Sequence, residues 1–234
     1  MRVRFEFSKD KEARYVSHLD MVRVFERSLR RAGLPLSYSQ GFNPHPKMAF
    51  SPALALGTSS EREYVDISFE TRIDINEAKI KLQESLPSGF NIRSCAIIPE
   101  GAQSLNALIN RAVYTIKCLL AREVSQAELD AWCSALMEME KILIKKKTKK
   151  GFRERDIRKG IFSLNCKPVN DYALINADLL LSPEGSIRPE DVVEVLVSLG
   201  MPAAGGYMEV RRTGLYQCQG ETCLNPMQVL SQVR

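Results

Sequence analysis

The first thirty-two residues decide the fold, and they open with Arg2-Val3-Arg4-Phe5-Glu6-Phe7. Charged and apolar side chains alternate there with a period of two, which is typical of a β-strand. A helical pattern follows from Ser17 to about Ala32, where apolar residues recur at helical spacing and basic residues gather on the opposite face. The apolar set is Val22, Phe25, Leu29 and Ala32, and the basic set is Arg23, Arg27 and Arg31. The sequence therefore predicts a strand followed by an amphipathic helix with a basic outer face.

The rest of the first half continues with two strands, a helix and a strand. Alternation predicts a strand over 62–69, helical spacing predicts a helix over 74–86, and a further strand covers 90–98. An apolar run at 48–56 supplies another extended segment. The order is strand, helix, strand, strand, helix, strand, which is that of the ferredoxin-like split βαβ unit.

The second half repeats this order. Strands are predicted at 113–120, 141–147, 161–166, 173–181 and 208–217, and helices at 126–139 and 189–199. We expect 141–147 and 161–166 to form a hairpin that flanks a basic loop. The predicted fold is α+β, with two tandem ferredoxin-like (split βαβ) domains whose antiparallel sheets are each covered by two helices. The expected domains are 1–98 and 112–217, and 218–234 is expected to be a flexible tail.

Charge is distributed unevenly along the chain. The net charge of +5 divides into +5 over residues 1–50, −5 over 51–140, +9 over 141–167 and −4 over 168–234. Two basic blocks separated by acidic stretches indicate a surface for a polyanion, provided that the blocks meet in space.

Composition and motifs exclude several classes of protein. The chain has 44% hydrophobic and 26% charged residues, as an ordinary globular protein does, and no apolar run long enough to span a bilayer. Phosphate-binding loops, dinucleotide fingerprints and the hydrolase nucleophile elbow are absent from the sequence. The six cysteines form no Cys-x-x-Cys pair, so we expect no metal and no cofactor, and Cys218 and Cys223 are expected to be free thiols. The start lacks a signal peptide, and the expected location is the cytoplasm.

Both histidines lie in polar clusters within the first forty-five residues. In Ser17-His18-Leu19-Asp20, the serine and aspartate fit a helix cap, which competes with a binding role. His18 falls on the apolar face of the predicted helix, either as a packed side chain or as a site residue.

The second histidine cluster is Gly41-Phe42-Asn43-Pro44-His45-Pro46-Lys47. Two prolines hold His45 in a stiff loop, which is either a plain connector or a platform that presents Asn43, His45 and Lys47 to a nucleotide, with Phe42 stacking on a base. His18 and His45 are also candidates for an acid–base pair in RNA cleavage.

The second basic block carries the remaining candidate residues. A mobile basic loop with Phe152 is expected to follow a phosphate backbone, although a run of charge is often only a solvated surface. Asp156 is expected to organise this loop through ion pairs. The candidate binding residues of the block are Lys145, Lys146, Lys147, Lys149, Lys150, Arg153, Arg155, Asp156 and Arg158.

The sequence resembles the bacterial radical SAM-linked (radical SAM-associated) protein family, which is functionally uncharacterised. The resemblance covers nearly the whole chain and is most specific in the first half. It is carried by Ser17-His18-Leu19-Asp20, Arg30-Arg31-Ala32-Gly33-Leu34-Pro35, Gly41-Phe42-Asn43-Pro44-His45-Pro46 and Ser51-Pro52-Ala53-Leu54-Ala55-Leu56-Gly57, with Asp156-Ile157-Arg158 as a weaker match. The resemblance implies a radical S-adenosylmethionine protein as partner. Such a partner would hold its cluster through three closely spaced cysteines, which this chain lacks, so the radical chemistry would belong to the partner.

These observations lead to one main hypothesis and two alternatives. The main hypothesis is a non-catalytic RNA-binding accessory protein that presents RNA to a radical S-adenosylmethionine enzyme, with both basic blocks facing one cleft. The first alternative is a metal-independent endoribonuclease that uses His18 and His45. The second is a protein-only adaptor whose basic face binds the partner enzyme.

Overall fold

The structure is a computed structural model that describes residues 1–148, 151–183 and 185–232, without the side chains of residues 146–148 and 153. The described part is a mixed α+β protein with six α-helices and mostly antiparallel strand pairing. The chain forms two compact units: Met1–Asn110 together with Arg212–Arg234, and Arg111–Arg211. The second unit is therefore an insertion between two segments of the first.

The first unit begins with a strand, a 3-10 helix (Lys11–Tyr15) and a long helix, in the predicted order. Its elements are β1 (Arg2–Lys9), α1 (His18–Arg31), β2 (Met48–Phe50), β3 (Ser59–Ser68), α2 (Ile75–Ser85), β4 (Phe90–Ile97) and the short helix α3 (Leu105–Leu108). Strand β1 lies between β3 and β4, with Val3 opposite Ile67 on one side and Ile97 on the other. Strand β2 pairs with the end of β3, where Phe50 faces Val65.

Helix α1 packs the predicted apolar face against this sheet. Phe25 and Leu29 are fully buried, and the Phe25 ring lies 4.8 Å from that of Phe7 on β1. The helix ends at Arg31 with Ala32 as its C-cap, and Gly33 follows with a φ of 65°, a left-handed conformation that glycine adopts without a steric cost. The amphipathic pattern therefore decides which side of α1 faces the core.

The other side of β1 is also buried, although it carries the charged residues of the alternating pattern. Arg4 is 1% exposed because its guanidinium group makes two hydrogen bonds to Asp66 and a third to the carbonyl of Pro226. Pro226 belongs to a C-terminal helix, so the polar face of β1 is covered by a segment remote in sequence. Ion pairs and hydrogen bonds compensate the charges that this covering removes from water.

The C-terminal segment completes the first unit and corrects the expectation of a flexible tail. Residues 212–219 belong to the long strand β10 (Ala203–Gln219), which turns back into β11 (Thr222–Leu224) and is followed by α6 (Pro226–Gln232). Leu230 of α6 is buried. Cys218 and Cys223 face each other across the hairpin and form a disulfide, so the prediction of free thiols is wrong for this pair.

The second unit contains the remaining elements. They are β5 (Arg111–Leu120), α4 (Gln126–Glu138), β6 (Leu143–Thr148), β7 (Gly151–Asp156), a 3-10 helix (Arg158–Gly160), β8 (Ile161–Val169), β9 (Tyr172–Leu180), α5 (Pro189–Ser198) and residues 203–211 of β10. Strand β9 lies between β5 and β8.

The predicted hairpin between 141–147 and 161–166 is wrong. Strand β6 pairs instead with β7, which lies within the stretch expected to be a mobile loop, and β8 pairs with β9. Only two residues separate β6 from β7 in sequence, and closing a short segment costs less chain entropy than closing the longer one that the predicted pairing requires. The second basic block is thus a β-hairpin.

Candidate functional site

The first unit contains a pocket that both histidines line. Its volume is about 560 Å³, and it lies among α1, the loop before β2, and the segment after β2. The lining residues are His18, Val22, Glu26, His45, Pro46, Met48, Phe50, Ser51, Pro52, Ala53 and Asn106. The fold therefore brings together two histidines that are far apart in sequence.

The loop that carries His45 is held at its base by backbone hydrogen bonds. The Ser39 amide donates to the His45 carbonyl at 2.8 Å, and the His45 amide donates to the Ser39 hydroxyl at 3.0 Å. The Lys47 amide donates to the Ser37 carbonyl at 2.8 Å. At the tip, the Phe42 side chain is fully exposed, and Asn43 is exposed as well. A stiff base thus presents an aromatic and an amide group to solvent.

His18 is the first residue of α1 and lies partly buried at the edge of the core. Its ring meets the Phe50 ring edge-on at 5.9 Å, and its Nδ1 atom is buried with no hydrogen-bond partner among the described residues. Burial lowers the pKa of His18, nearby Lys9 and Arg212 lower it further, and Glu63 raises it. A neutral imidazole with a free nitrogen is suited to accept or donate a hydrogen bond to a ligand.

His45 lies on the exposed side of the pocket, next to a carboxylate. Its Nδ1 is 4.0 Å from Oε2 of Glu26, whose Oε1 accepts a hydrogen bond of 2.7 Å from Arg30. The His45 side chain is 71% exposed and can move toward a ligand. Glu26 is not among the residues that the sequence predicts for the site, because sequence alone does not show which face of α1 meets the loop.

A buried ionic network lies directly behind the pocket wall. Arg212 donates two hydrogen bonds to the Glu63 carboxylate, at 2.8 and 2.5 Å, and one of 3.0 Å to the carbonyl of Pro52. The Ser51 hydroxyl donates to Glu63 at 3.0 Å, so two residues that line the pocket are held by the ion pair. Lys9 is also buried and donates to the Val16 carbonyl at 2.7 Å, and burial lowers its pKa while Glu63 raises it.

The network positions the pocket wall from residues that the sequence does not mark. Glu63 and Arg212 are 149 residues apart, so no local pattern reveals their pairing.

The other predicted site residues at the start of α1 and along it do not line the pocket. The Ser17 hydroxyl accepts from the Asp20 amide and donates to the Asp20 carboxylate, which caps the helix. Asp20 also pairs with exposed Arg23 at 3.1 Å. Arg31 binds the Ser85 carbonyl at the end of α2, and Arg27 is exposed to solvent.

The β6–β7 hairpin presents the second basic block. Lys145 is exposed and lies opposite Glu154 in the register, and Phe152 near the start of β7 is 75% exposed. The sequence predicts binding residues at five further positions of this block. Lys149 and Lys150 lie outside the described residues, as do the side chains of Lys146, Lys147 and Arg153.

Three residues at the base of the hairpin are engaged in holding it in place. Asp156 accepts hydrogen bonds from the amides of Ile142 and Arg158, which lower its pKa, and the charges of Lys141 and Lys159 lower it further. Arg158 donates to the carbonyls of Met137 and Ile161, and Arg155 donates to the Ser186 carbonyl. These contacts make the hairpin base rigid.

The described residues contain no group of three or more His, Cys, Asp or Glu side chains that is arranged to hold a metal ion. Across the same part of the chain, no helix has both the length and the apolar character needed to cross a membrane.

Comparison with solved structures finds similar chains at low sequence identity. A chain of a Cbf5-Nop10-Gar1 complex is similar over 97% of this chain, with a TM-score of 0.52 and 12% identity. A chain of an archaeal box H/ACA sRNP Nop10-Cbf5 complex is similar over 89%, with a TM-score of 0.48 and 12% identity. This chain spans about half the length of each, 54% and 46%. At this identity the first likeness concerns the fold alone.

Comparison of sequences identifies a family. No curated protein matches the chain. A family model described as "Uncharacterized protein conserved in bacteria (DUF2344)" matches residues 2–189, which is most of the chain. The protein therefore belongs to the DUF2344 family of uncharacterised conserved bacterial proteins.

Proposed function

We propose that this protein is a non-catalytic RNA-binding accessory protein of the cytoplasm, built from two ferredoxin-like domains, that works with a radical S-adenosylmethionine enzyme in RNA modification or processing. The observation that carries the proposal is the pocket lined by His18, Glu26 and His45, with the exposed Phe42 ring in the same loop. Single-stranded RNA binds proteins through aromatic rings that stack on bases and polar side chains that meet base edges.

The chemistry of the pocket suits an unstacked nucleobase. Its walls combine apolar surface from Met48 and Phe50 with the imidazole of His18 and the carboxylate of Glu26. A base needs both kinds of surface, because its faces are apolar and its edges carry donors and acceptors. The Glu26 carboxylate disfavours a phosphate at the same point, so we assign the pocket to the base.

The strand order supports the assignment of two ferredoxin-like domains. In the first unit β4, β1, β3 and β2 are neighbours in that order, and in the second unit β5, β9 and β8 follow the equivalent order. The β6–β7 hairpin is then an insertion between the first helix and the second strand of the second domain. In many RNA-binding proteins such sheets serve as a scaffold for single-stranded RNA.

The basic hairpin supplies the sequence-independent part of the proposed affinity. Exposed Lys145 and Phe152 lie on a hairpin whose base is held by Arg158 and Asp156. Lysines on a rigid support bind phosphates and release counterions, and an exposed aromatic ring adds base stacking.

The partnership with a radical S-adenosylmethionine enzyme rests on the sequence resemblance described above. The chain lacks the closely spaced cysteines that would hold an iron–sulfur cluster. In the proposal, this protein binds the RNA and the partner performs the radical chemistry.

RNA binding is tested by fluorescence anisotropy with a labelled 12-nucleotide single-stranded RNA at several salt concentrations. The Phe42→Ala variant should bind about 5 to 160 times more weakly, since stacking of one base contributes about 1 to 3 kcal/mol. The Ile80→Ala variant, which removes another exposed apolar side chain, is the matched control and should bind as the wild type does.

The contribution of the hairpin is tested by changing Lys145, Lys146, Lys147 and Arg153 together to glutamine. This variant should bind more weakly, and the slope of log affinity against log salt should become shallower by roughly 0.7 for each phosphate that is no longer neutralised. Lys81→Gln on α2 is the control. If the wild-type protein shows no salt-dependent affinity for RNA, the proposal is wrong.

A second candidate function is a metal-independent endoribonuclease. It is favoured by one observation, namely that His18 and His45 line the same pocket. In this mechanism neutral His18 would remove the proton of a 2′-hydroxyl, and His45 would give a proton to the leaving oxygen. The isolated protein should then cleave RNA in the presence of EDTA, and His18→Ala or His45→Ala should each abolish cleavage. Intact RNA after prolonged incubation would exclude this function.

The partner is tested by co-purification with the radical S-adenosylmethionine enzyme, with and without ribonuclease. Loss of the enzyme after ribonuclease treatment supports a complex bridged by RNA. Retention of the enzyme, together with an absence of RNA affinity, would favour the protein-only adaptor.

A further inference from the structure

The second unit contains a separate groove that the proposed RNA site does not use. It has a volume of about 450 Å³ and lies between α5 and the first residues of β10, with Cys118 of β5 at its floor. The lining residues are Cys118, Glu190, Val193, Glu194, Val197, Ala203, Gly206, Tyr207 and Met208.

Helix α5 has two faces, and only one of them packs in the core. Val192, Val195 and Leu196 are buried against the sheet. The residues that line the groove follow at positions 190, 193, 194 and 197, the spacing of a second stripe along a helix. Val197 on this stripe is 42% exposed. The apolar part of this stripe is Val193, which is partly buried, and Val197.

The opposite wall is the start of β10, where an aromatic residue is exposed. Tyr207 is 54% exposed, and Met208 beside it is partly buried. Gly205 and Gly206 precede them with φ values of 57° and 69°, and a Cβ atom added to either would meet no heavy atom within 4 Å. The backbone therefore leaves this side of the groove open.

Two carboxylates flank the apolar surface. Glu190 and Glu194 lie one helical turn apart, and no lysine, arginine or histidine of the described residues forms an ion pair with either of them. Two like charges at this spacing repel each other and destabilise a helix slightly, so a cationic ligand bound between them would reduce this repulsion. The same charges repel RNA, and the groove is therefore unsuited to the polyanion proposed for the other site.

We infer that this groove docks a basic amphipathic segment of a partner protein. Such a segment places apolar side chains against Val193, Val197 and Met208, and lysines or arginines opposite Glu190 and Glu194. Helix-in-groove recognition works in this way, with affinity from apolar anchors and orientation from charge. The inference does not depend on the proposed RNA site.

The test uses the full chain and a defined probe, an 18-residue labelled peptide of leucine and lysine arranged as an amphipathic helix. Fluorescence anisotropy should show binding with a Kd in the micromolar range. Glu190→Lys combined with Glu194→Lys should weaken binding at least tenfold, and Val197→Asp at least fivefold. Circular dichroism should show that each variant keeps the wild-type fold, since all three side chains are at least partly exposed.

Two controls separate docking from general charge attraction. The pair Glu77→Lys and Glu84→Lys on α2 changes the net charge by the same amount and should leave peptide binding unchanged within twofold. A peptide of the same composition in scrambled order should bind at least tenfold more weakly than the amphipathic one.

The inference is overturned if both pairs of reversals weaken binding equally, if the scrambled peptide binds as well, or if Val197→Asp has no effect. It is also overturned if sedimentation shows a wild-type dimer that Val197→Asp dissociates, because a second copy would then be the occupant. Its failure is distinguishable from that of the proposed function, because the RNA assay uses residues of the other pocket and the hairpin.

Discussion

Removal of Glu63 should destabilise the protein far more than removal of an exposed glutamate. In the Glu63→Ala variant the Arg212 guanidinium keeps its buried position and loses its counter-charge. Breaking a buried ion pair from one side costs about 3 to 5 kcal/mol in the free energy of unfolding. The change also leaves the Ser51 hydroxyl without the acceptor that it uses in the native protein.

The geometry explains why the upper part of this range is expected. The side chains of Arg212 and Glu63 are 1% and 3% exposed, so water cannot replace the lost carboxylate. Two hydrogen bonds, of 2.8 and 2.5 Å, join the pair, and both are charge-assisted. One further bond, from Arg212 to the Pro52 carbonyl, remains in the variant and compensates only part of the charge.

The assay is guanidinium chloride denaturation followed by circular dichroism, with comparison of midpoints and slopes. Glu77→Ala is the matched control, because Glu77 pairs with Lys81 on α2 and their side chains are 62% and 46% exposed. The control should lose less than about 0.5 kcal/mol. A double variant, Glu63→Leu with Arg212→Met, should recover much of the loss, since apolar residues remove both buried charges together.

Two results would refute this reasoning. A loss below about 1 kcal/mol for Glu63→Ala would mean that water reaches Arg212 and that the pair is not buried in solution. A double variant less stable than Glu63→Ala would mean that the arginine stabilises the fold without its carboxylate.

Three further predictions concern the ends of elements and titration. Ser17→Ala should cost about 1 kcal/mol in the free energy of unfolding, because it removes the cap of α1, as denaturation will show. His18 should titrate by NMR below its ordinary pKa of about 6.5, because burial disfavours its charged form. Its contribution to stability is present above about pH 6.5 and is lost as the pH falls, so His18→Gln should flatten that part of the pH–stability curve. Asp156 has a lowered pKa through backbone hydrogen bonds, so its contribution is present above about pH 4 and lost below it, and Asp156→Asn should remove this dependence.

Local patterns predict most helices and strands but fail where pairing is remote. The helix expected from Ser17 to Ala32 is α1, and the helix expected over 74–86 is α2, because each apolar stripe and end signal acts within a few residues. The hairpin of the second block is predicted with the wrong partner strand. The strand over 141–147 is predicted, but residues 151–156 resemble a solvated loop in sequence, and only their register with β6 shows them to be a strand.

The candidate site is predicted in part, for the same reason. His18 and His45 are identified from their polar clusters, and the structure brings both to one pocket. Glu26 and the Glu63–Arg212 pair are not predicted from the sequence. Glu26 comes close to His45, and Glu63 to Arg212, only after folding.

The sequence by itself determined the order of the main strands and helices from β1 to β4, the basic face of α1 and the stiff loop around His45. Those features follow from side-chain periodicity and from the restricted backbone of proline, which act locally. Tertiary structure alone decided that α6 covers the polar face of β1, and that Arg4 and Glu63 are buried with partners. The physical reason is that a charged residue in a strand is buried only if a remote segment supplies its counter-charge. The sequence around that residue does not show which remote residue will be its partner.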